Sequence, residues 1–160
     1  MSFTRHTCRA LHEEHRAQLE TLAKLEQAFS RRNVDRGEPT LALLRTLRVQ
    51  ITHDAERHFA FEEEQLFPWL SAAGDIGIVT MLSDEHATLR SLGAELTPRI
   101  EQAGAGSLDD PGWTELGQLA LELAELQVLH IQKEEMALLP MLEDALDEDS
   151  DRELIAAYLD

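Results

Sequence analysis

One sequence pattern occurs twice in this chain of 160 residues, and the duplication constrains the fold more than any other feature. The segment 58–70, HFAFEEEQLFPWL, aligns without gaps on 130–142, HIQKEEMALLPML, at an offset of 72 residues. The two share a histidine, a Glu-Glu pair, two leucines and a proline. Upstream, LHEEH at 11–15 aligns on LSDEH at 82–86, at an offset of 71 residues. The chain is therefore predicted to contain two copies of one unit, each with a histidine in its first segment and His-x-x-x-Glu in its second.

The segments that carry this pattern are predicted to be helices. Apolar residues recur every three or four positions along four long stretches, and none of these stretches shows strand-like alternation. In the first stretch the stripe is Leu11, His15, Gln18, Leu22, Leu25 and Phe29. Glycine and proline cluster at 33–39, 73–77 and 103–112, where we expect the connections. Short connections make neighbouring helices antiparallel, so the sequence predicts an all-α, up-down-up-down four-helix bundle over residues 1–146.

Residues 147–160 are expected to form an acidic C-terminal tail or a short helix. The stretch 143–153 carries seven acidic residues against one arginine. Such a composition favours a solvated or frayed end over a binding role.

Each of the four apolar stripes is interrupted by one histidine; the four are His15, His58, His86 and His130. In antiparallel helices, their distances from the intervening connections agree to within two residues, or roughly 3 Å of helix rise. We therefore expect all four imidazoles at one level of the bundle. His6 and His53 face other sides of their helices and are expected at the surface, whereas His12 lies nearer the His15 face.

Two glutamates accompany these histidines. The i, i+4 spacing stacks His58 over Glu62 and His130 over Glu134, so both carboxylates are predicted to point into the core. Burying such a set without a counter-ion would cost several kcal/mol for each unpaired charge. A pair of bound metal ions resolves this cost. Imidazole and carboxylate suit iron, and also manganese or zinc, while the lack of thiolates argues against a soft-metal site.

Taken together, the repeated pattern of His followed by His-x-x-x-Glu-Glu-x-x-Leu-[Phe/Leu]-Pro-x-Leu resembles the hemerythrin-like (HHE cation-binding) family, over residues 11–142. The resemblance implies two non-heme iron ions joined by an oxo or hydroxo bridge, with both carboxylates bridging the metals. It also implies the metal ligands, which are His15, His58, Glu62, His86, His130 and Glu134.

One position departs from the family pattern. Oxygen-carrying hemerythrins have a further histidine one turn after the third-helix histidine, and here that residue is Arg90. The resemblance then leaves about two open coordination positions on the metal pair, where a fifth histidine would leave about one. Glu63, Glu135 and His12 are the side chains considered for an open position. Pro68 and Pro140 are expected simply to kink or end their helices.

Other classes of protein fit the sequence less well. The formal net charge of −17 disfavours nucleic acid and membrane surfaces as partners. The single cysteine, Cys8, excludes an internal disulfide framework and fits a reducing compartment. No apolar run is long enough for a membrane span, and the N-terminus is too polar for a signal peptide, so we expect a cytoplasmic protein. The Glu-x-x-His signature of ferritin-like di-iron bundles is absent.

Three functions remain open at this stage. The first is binding or sensing of dioxygen, or of another small diatomic molecule such as nitric oxide, at a di-iron centre. The second is an enzyme that breaks down hydrogen peroxide or reduces nitric oxide. The third is iron sensing, or iron donation for repair. The sequence does not decide whether the protein is an enzyme, and it does not identify a protein partner.

Overall fold

The computed structural model describes residues 2–160, and within this range the chain forms five helices and no strand. Helix α1 is His6–Phe29 and α3 is Ile76–Gly104. Helix α2 consists of Glu38–Val49, Ala55–Phe61 and Phe67–Ala72, which are joined by the π-helical turns Gln50–Asp54 and Glu62–Leu66. Helix α4 consists of Asp110–Lys133 and Leu139–Ala145, joined by the π-helical turn Glu134–Leu138. Helix α5 is Glu148–Leu159.

The connections lie where the glycine and proline clusters predicted them. Pro39 lies in the first turn of α2, where its missing N–H costs no helical hydrogen bond. Asp109 caps α4, because its carboxylate accepts a hydrogen bond from the Gly112 N–H at 2.8 Å. Gly74 and Gly106 have φ values of 100° and 72°, a conformation that favours glycine. Helix α1 packs beside α2 and α4, and α3 packs beside the same two helices. The predicted all-α, up-down-up-down bundle is confirmed.

The buried apolar side chains form two clusters at opposite ends of the bundle. The first apolar cluster includes Leu25, Leu44, Leu96 and Leu116. The second includes Leu11, Leu66, Leu82 and Leu138, and it extends to Tyr158 of α5. Buried histidines and glutamates lie between the two clusters, so apolar packing shields this polar level from solvent on both sides. None of the described helices is both long enough and apolar enough to span a membrane.

Pro68 and Pro140 do not end their helices. Just before each proline the helix widens into a π-helical turn, in which the Phe67 N–H bonds to the Glu62 carbonyl and the Leu139 N–H to the Glu134 carbonyl, five residues back. Proline has no N–H and clashes with the carbonyl four residues back in a regular α-helix. A widened turn at this point accommodates the ring. Both π-helical turns begin at the predicted inward-facing glutamates.

The C-terminal helix α5 packs against α1 and is held there by a buried acid. The Asp151 carboxylate accepts hydrogen bonds from the His6 and Thr7 N–H groups, both at 2.9 Å. Asp151 thus supplies the N-terminal cap that α1 lacks within its own sequence. The acidic stretch, expected to be solvated or frayed, therefore contains a buried side chain that joins two helices.

Candidate metal centre

Six polar side chains from four helices meet in the middle of the bundle, and none is more than 3% exposed. They are the six named from the sequence: His15, His58, Glu62, His86, His130 and Glu134. Each of the four main helices contributes one histidine, and the four histidines lie at one level of the bundle. Helices α2 and α4 each add the glutamate one turn further on.

The four histidines form two pairs, His15 with His58 and His86 with His130. Each of the two glutamates contacts one histidine of each pair. Glu134 Oε2 lies 2.7 Å from His15 Nε2, and Glu134 Oε1 lies 2.6 Å from His130 Nε2. Glu62 Oε1 lies 2.9 Å from His58 Nε2, and Glu62 Oε2 lies 3.1 Å from His86 Nε2. Both carboxylates therefore have one oxygen on each side of the cluster.

Two overlapping groups of four side chains could each hold a metal ion. One group is His15, His58, Glu62 and Glu134, and the other is Glu62, His86, His130 and Glu134. Within each group the ligand atoms lie within 4.8 Å of one another. Because the two glutamates belong to both groups, the arrangement has room for two ions with two carboxylates shared between them.

The buried acceptor atoms of the cluster are not satisfied by the protein. Both oxygens of Glu62, both oxygens of Glu134 and His15 Nε2 are buried without a hydrogen bond of good geometry. The Nε2 atoms of His86 and His130 face each other at 3.2 Å. Buried polar atoms without partners are costly, and a set of lone pairs directed at common points is what bound cations require. The residues therefore fit a pair of metal ions.

A second set of four glutamates lies behind the histidines. Glu135 Oε1 is 2.6 Å from His15 Nδ1, Glu63 Oε1 is 3.0 Å from His86 Nδ1, and Glu85 Oε1 is 2.9 Å from His130 Nδ1. Glu14 Oε2 is 3.5 Å from His58 Nδ1. We call Glu14, Glu63, Glu85 and Glu135 the outer carboxylates. An acceptor at Nδ1 keeps the proton on that nitrogen, which leaves the Nε2 lone pair directed at the cluster.

The outer carboxylates repeat with the sequence. Glu14 and Glu85 each precede a first-segment histidine, and Glu63 and Glu135 each follow an inward-facing glutamate. Sequence reasoning did not identify Glu14 or Glu85, although an acid directly before the histidine in both copies was the available signal. It considered Glu63 and Glu135 for an open metal position. In the structure both point at Nδ1 atoms, on the far side of the imidazoles from the cluster.

Two other residues considered from the sequence also lie outside the cluster. His12 Nδ1 lies 2.8 Å from Glu135 Oε2, so His12 contacts an outer carboxylate. Arg90 binds Glu63 with Nη1 at 2.7 Å and Glu56 with Nε at 2.9 Å, while its guanidinium lies over the Phe59 ring. Both side chains are half-buried, and their ion-pair partners are glutamates outside the six central residues.

The central carboxylates change the pKa values of the histidines. Burial alone would lower the pKa of His86, but contacts with Glu134, Glu62 and Glu63 raise it to about 9. The pKa values of His15 and His58 are raised for the same reason, against the effect of burial. Burial would raise the pKa of Glu134, but the surrounding histidines hold it well below its usual range. Without metal, the cluster therefore retains protons, and metal ions compete with those protons.

An aromatic side chain contacts both the cluster and a neighbouring cavity. The Phe59 ring stacks on His86, with the ring centroids 4.0 Å apart. Phe59 also lines a cavity of about 310 Å³, together with apolar residues such as Leu22, Leu47 and Leu89. Gln18 and Gln127, which hydrogen-bond to each other at 3.2 Å, also line it. Phe59 thus contacts both the cluster and a cavity that is large enough for a small molecule.

Comparison with known proteins agrees with this geometry. The sequence matches the family described as the hemerythrin HHE cation binding domain over residues 6–142. This match covers α1 to α3 and nearly all of α4, and it leaves α5 outside. No curated protein matches the chain at a significant level.

Proposed function

Because the chain belongs to the hemerythrin HHE cation-binding family, we propose that it is a non-heme di-iron protein that binds or senses dioxygen or another small diatomic molecule such as nitric oxide. The sharing of Glu62 and Glu134 between two histidine pairs is the observation that carries the proposal. A site for one ion would need only one such group of side chains. Two groups with common carboxylates favour two ions close together.

In this proposal the six central residues hold the metals. His15 and His58 would hold one ion, His86 and His130 would hold the other, and Glu62 and Glu134 belong to both groups and would be shared between them. When bound, the iron pair supplies two redox-active metals next to each other, at which a small ligand can bind. Glu135, Glu63 and Glu85 keep the proton of their histidine on Nδ1, so that Nε2 is available for the metal.

The number of open positions also follows from the side chains. Each metal would have two histidines and two shared carboxylates. Arg90 stands at the place of a further histidine, and its guanidinium donates hydrogen bonds to Glu63 and Glu56 instead. Octahedral iron would then retain open positions.

The surroundings favour a small neutral ligand. The central residues are almost fully buried, and apolar clusters lie on both sides of them. The Phe59 ring stacks on His86 and also lines the neighbouring, mainly apolar cavity. A neutral diatomic molecule crosses such surroundings at low cost, whereas a charged substrate must lose its hydration. The lone buried Cys8 supports a reducing, cytoplasmic setting.

Metal analysis of protein from iron-supplemented cells tests the proposal. We expect about two irons per chain and an absorption change on moving from anaerobic to aerobic buffer that reverses on removal of the gas. Glu62→Ala should release at least one metal, whereas Glu64→Ala, which alters an exposed neighbour, should retain both. Retention of two irons and an unchanged spectrum in Glu62→Ala would contradict the ligand assignment.

The open positions also support a second candidate, an enzyme that breaks down hydrogen peroxide or reduces nitric oxide. Fast turnover of peroxide by the two-iron protein, together with irreversible oxidation, would favour this enzyme over a carrier or sensor. A third candidate, iron sensing or iron donation, predicts weak and readily reversible iron binding. The same sample therefore separates the three functions by turnover rate and by iron affinity.

A further inference from the structure

Helix α5 lies outside the residues that match the family, yet one of its side chains contacts an outer carboxylate of the candidate metal centre. Tyr158 is buried in the second apolar cluster, and its hydroxyl donates a hydrogen bond to Glu14 Oε2. The same oxygen faces His58 Nδ1 at 3.5 Å. A continuous line of polar atoms therefore runs from α5 through Glu14 to a histidine of the cluster.

The contact between Glu14 and His58 differs from the other three of its kind. The remaining outer carboxylates approach their Nδ1 atoms to between 2.6 and 3.0 Å. His58 Nδ1 is buried and has no hydrogen-bond partner. Glu14 is the nearest carboxylate to this atom, and its position depends on Tyr158, because the facing oxygen also accepts the tyrosine hydroxyl.

We propose that Tyr158 is a positioning residue for the metal centre, so that docking of α5 and metal occupancy of the His15 and His58 position stabilise each other. This inference rests on the proposed metal-binding function. A metal on Nε2 draws electrons from the imidazole and makes the Nδ1–H a stronger hydrogen-bond donor. The interaction of this N–H with Glu14 is strongest when the carboxylate is held beside Nδ1. The hydrogen bond from the Tyr158 hydroxyl holds Glu14 in that position.

The coupling must act in both directions. If docked α5 increases metal affinity by a given factor, bound metal stabilises docked α5 by the same factor. The α5 helix is otherwise held by contacts that do not involve Glu14. These include the hydrogen bonds of Asp151 to α1 and that of the Thr7 hydroxyl to the Asp151 carbonyl at 3.3 Å. The docking surface therefore remains largely intact when only the Tyr158 hydroxyl is removed.

The substitution Tyr158→Phe isolates the hydroxyl. The ring keeps its edge contact with Phe61, at 5.1 Å between centroids, and its place beneath the Arg57 guanidinium. Thr7→Val is the matched control, because it removes another buried hydroxyl between α1 and α5 that has no contact with Glu14. Both variants lose one hydrogen bond at the same helix interface.

Stepwise binding of Co²⁺ to the full chain, followed by its visible absorption, provides the first measurement. Tyr158→Phe should lower the affinity of one of the two positions about tenfold, at the lower end of what loss of an outer partner costs. Thr7→Val should leave both affinities unchanged. Glu14→Gln should weaken the same position, and adding Tyr158→Phe to it should cause little further loss, because the tyrosine acts through Glu14.

Hydrogen exchange of the α5 amides provides the second measurement. Co²⁺ should slow exchange in α5 of the wild-type chain and of Thr7→Val, and this effect should be lost in Tyr158→Phe. Unchanged Co²⁺ affinity in Tyr158→Phe, a higher affinity, or an unchanged effect of Co²⁺ on α5 exchange would overturn the coupling while leaving the proposed function intact. A wild-type chain that binds fewer than two Co²⁺ ions would overturn both.

Discussion

The metal-free protein is expected to lose stability as the pH rises from about 6.5 to about 9. His86 has an ordinary pKa of 6.5 when unfolded, and the contacts with Glu134, Glu62 and Glu63 raise it to about 9 in the folded chain. The folded state therefore holds this proton more tightly than the unfolded state. The resulting stabilisation is fully present below pH 6.5 and disappears as the pH rises through about 9.

The expected magnitude follows from this difference in pKa. At about 1.4 kcal/mol per pH unit, a rise from 6.5 to about 9 corresponds to about 3 kcal/mol from His86. His15 and His58 change in the same direction, because their pKa values are also raised. Cys8 contributes little in this window, because burial raises the pKa of its thiol from 9.0 to about 12 and its stabilisation is therefore lost mainly above pH 9. Bound metal requires neutral imidazoles, so the loaded protein should not lose stability over this range.

Urea unfolding at pH 6.5 and pH 9, with and without a chelator, measures the effect. The chelated wild-type protein should be less stable at pH 9, and His86→Gln should reduce that difference by about 3 kcal/mol, the share of His86. His53→Gln changes an exposed histidine and should leave the difference unchanged. Equal unfolding free energies of the chelated wild-type protein at the two pH values would refute the role assigned to the raised histidine pKa.

Three further predictions concern single contacts. Glu85→Ala removes the acceptor of His130 Nδ1 and should lower metal affinity roughly 10–100-fold, as measured by competition with a chelating dye; unchanged affinity would show that this carboxylate does not orient the histidine. Gly93→Ala would place a Cβ 2.5 Å from Ile51 Cγ2, so we expect a loss of about 1–3 kcal/mol in urea unfolding, whereas Gly104→Ala, at an open position, serves as the control. Asp151→Ala removes the cap of α1 and should cost about 1–2 kcal/mol, together with faster exchange of the first α1 amides; unaltered exchange there would contradict the capping role.

The helices and the central cluster could be predicted from the sequence because both depend on spacing within a helix. Apolar stripes with a period of three to four residues indicated the four main helices, and glycine and proline clusters indicated their connections. The i, i+4 spacing places His58 and Glu62 on one face of their helix. The internal repeat has the same spacing, which places His130 and Glu134 on one face of theirs. The structure brings together all six of these residues, as the level of the histidines predicted.

The widened turns at the glutamates were not predicted, although their signal lay in the sequence. Each inward-facing glutamate is followed six residues later by a proline, which was expected simply to kink or end the helix. Whether a helix ends at a proline or continues through a wider turn depends on the packing that follows. Here Leu70 and Leu142 continue into the second apolar cluster, which favours continuation of both helices.

The sequence by itself determined the helical bundle and the six central residues, because helical periodicity and an internal repeat are local properties of the chain. Only the tertiary structure decided the roles of the surrounding side chains: Glu63 and Glu135 face Nδ1 atoms, Arg90 binds two glutamates, and Tyr158 reaches Glu14 from a helix more than 140 residues away. Long polar side chains at a helix surface have several partners within reach. Which partner they bind depends on how neighbouring helices pack, and spacing along one helix carries no information about that choice.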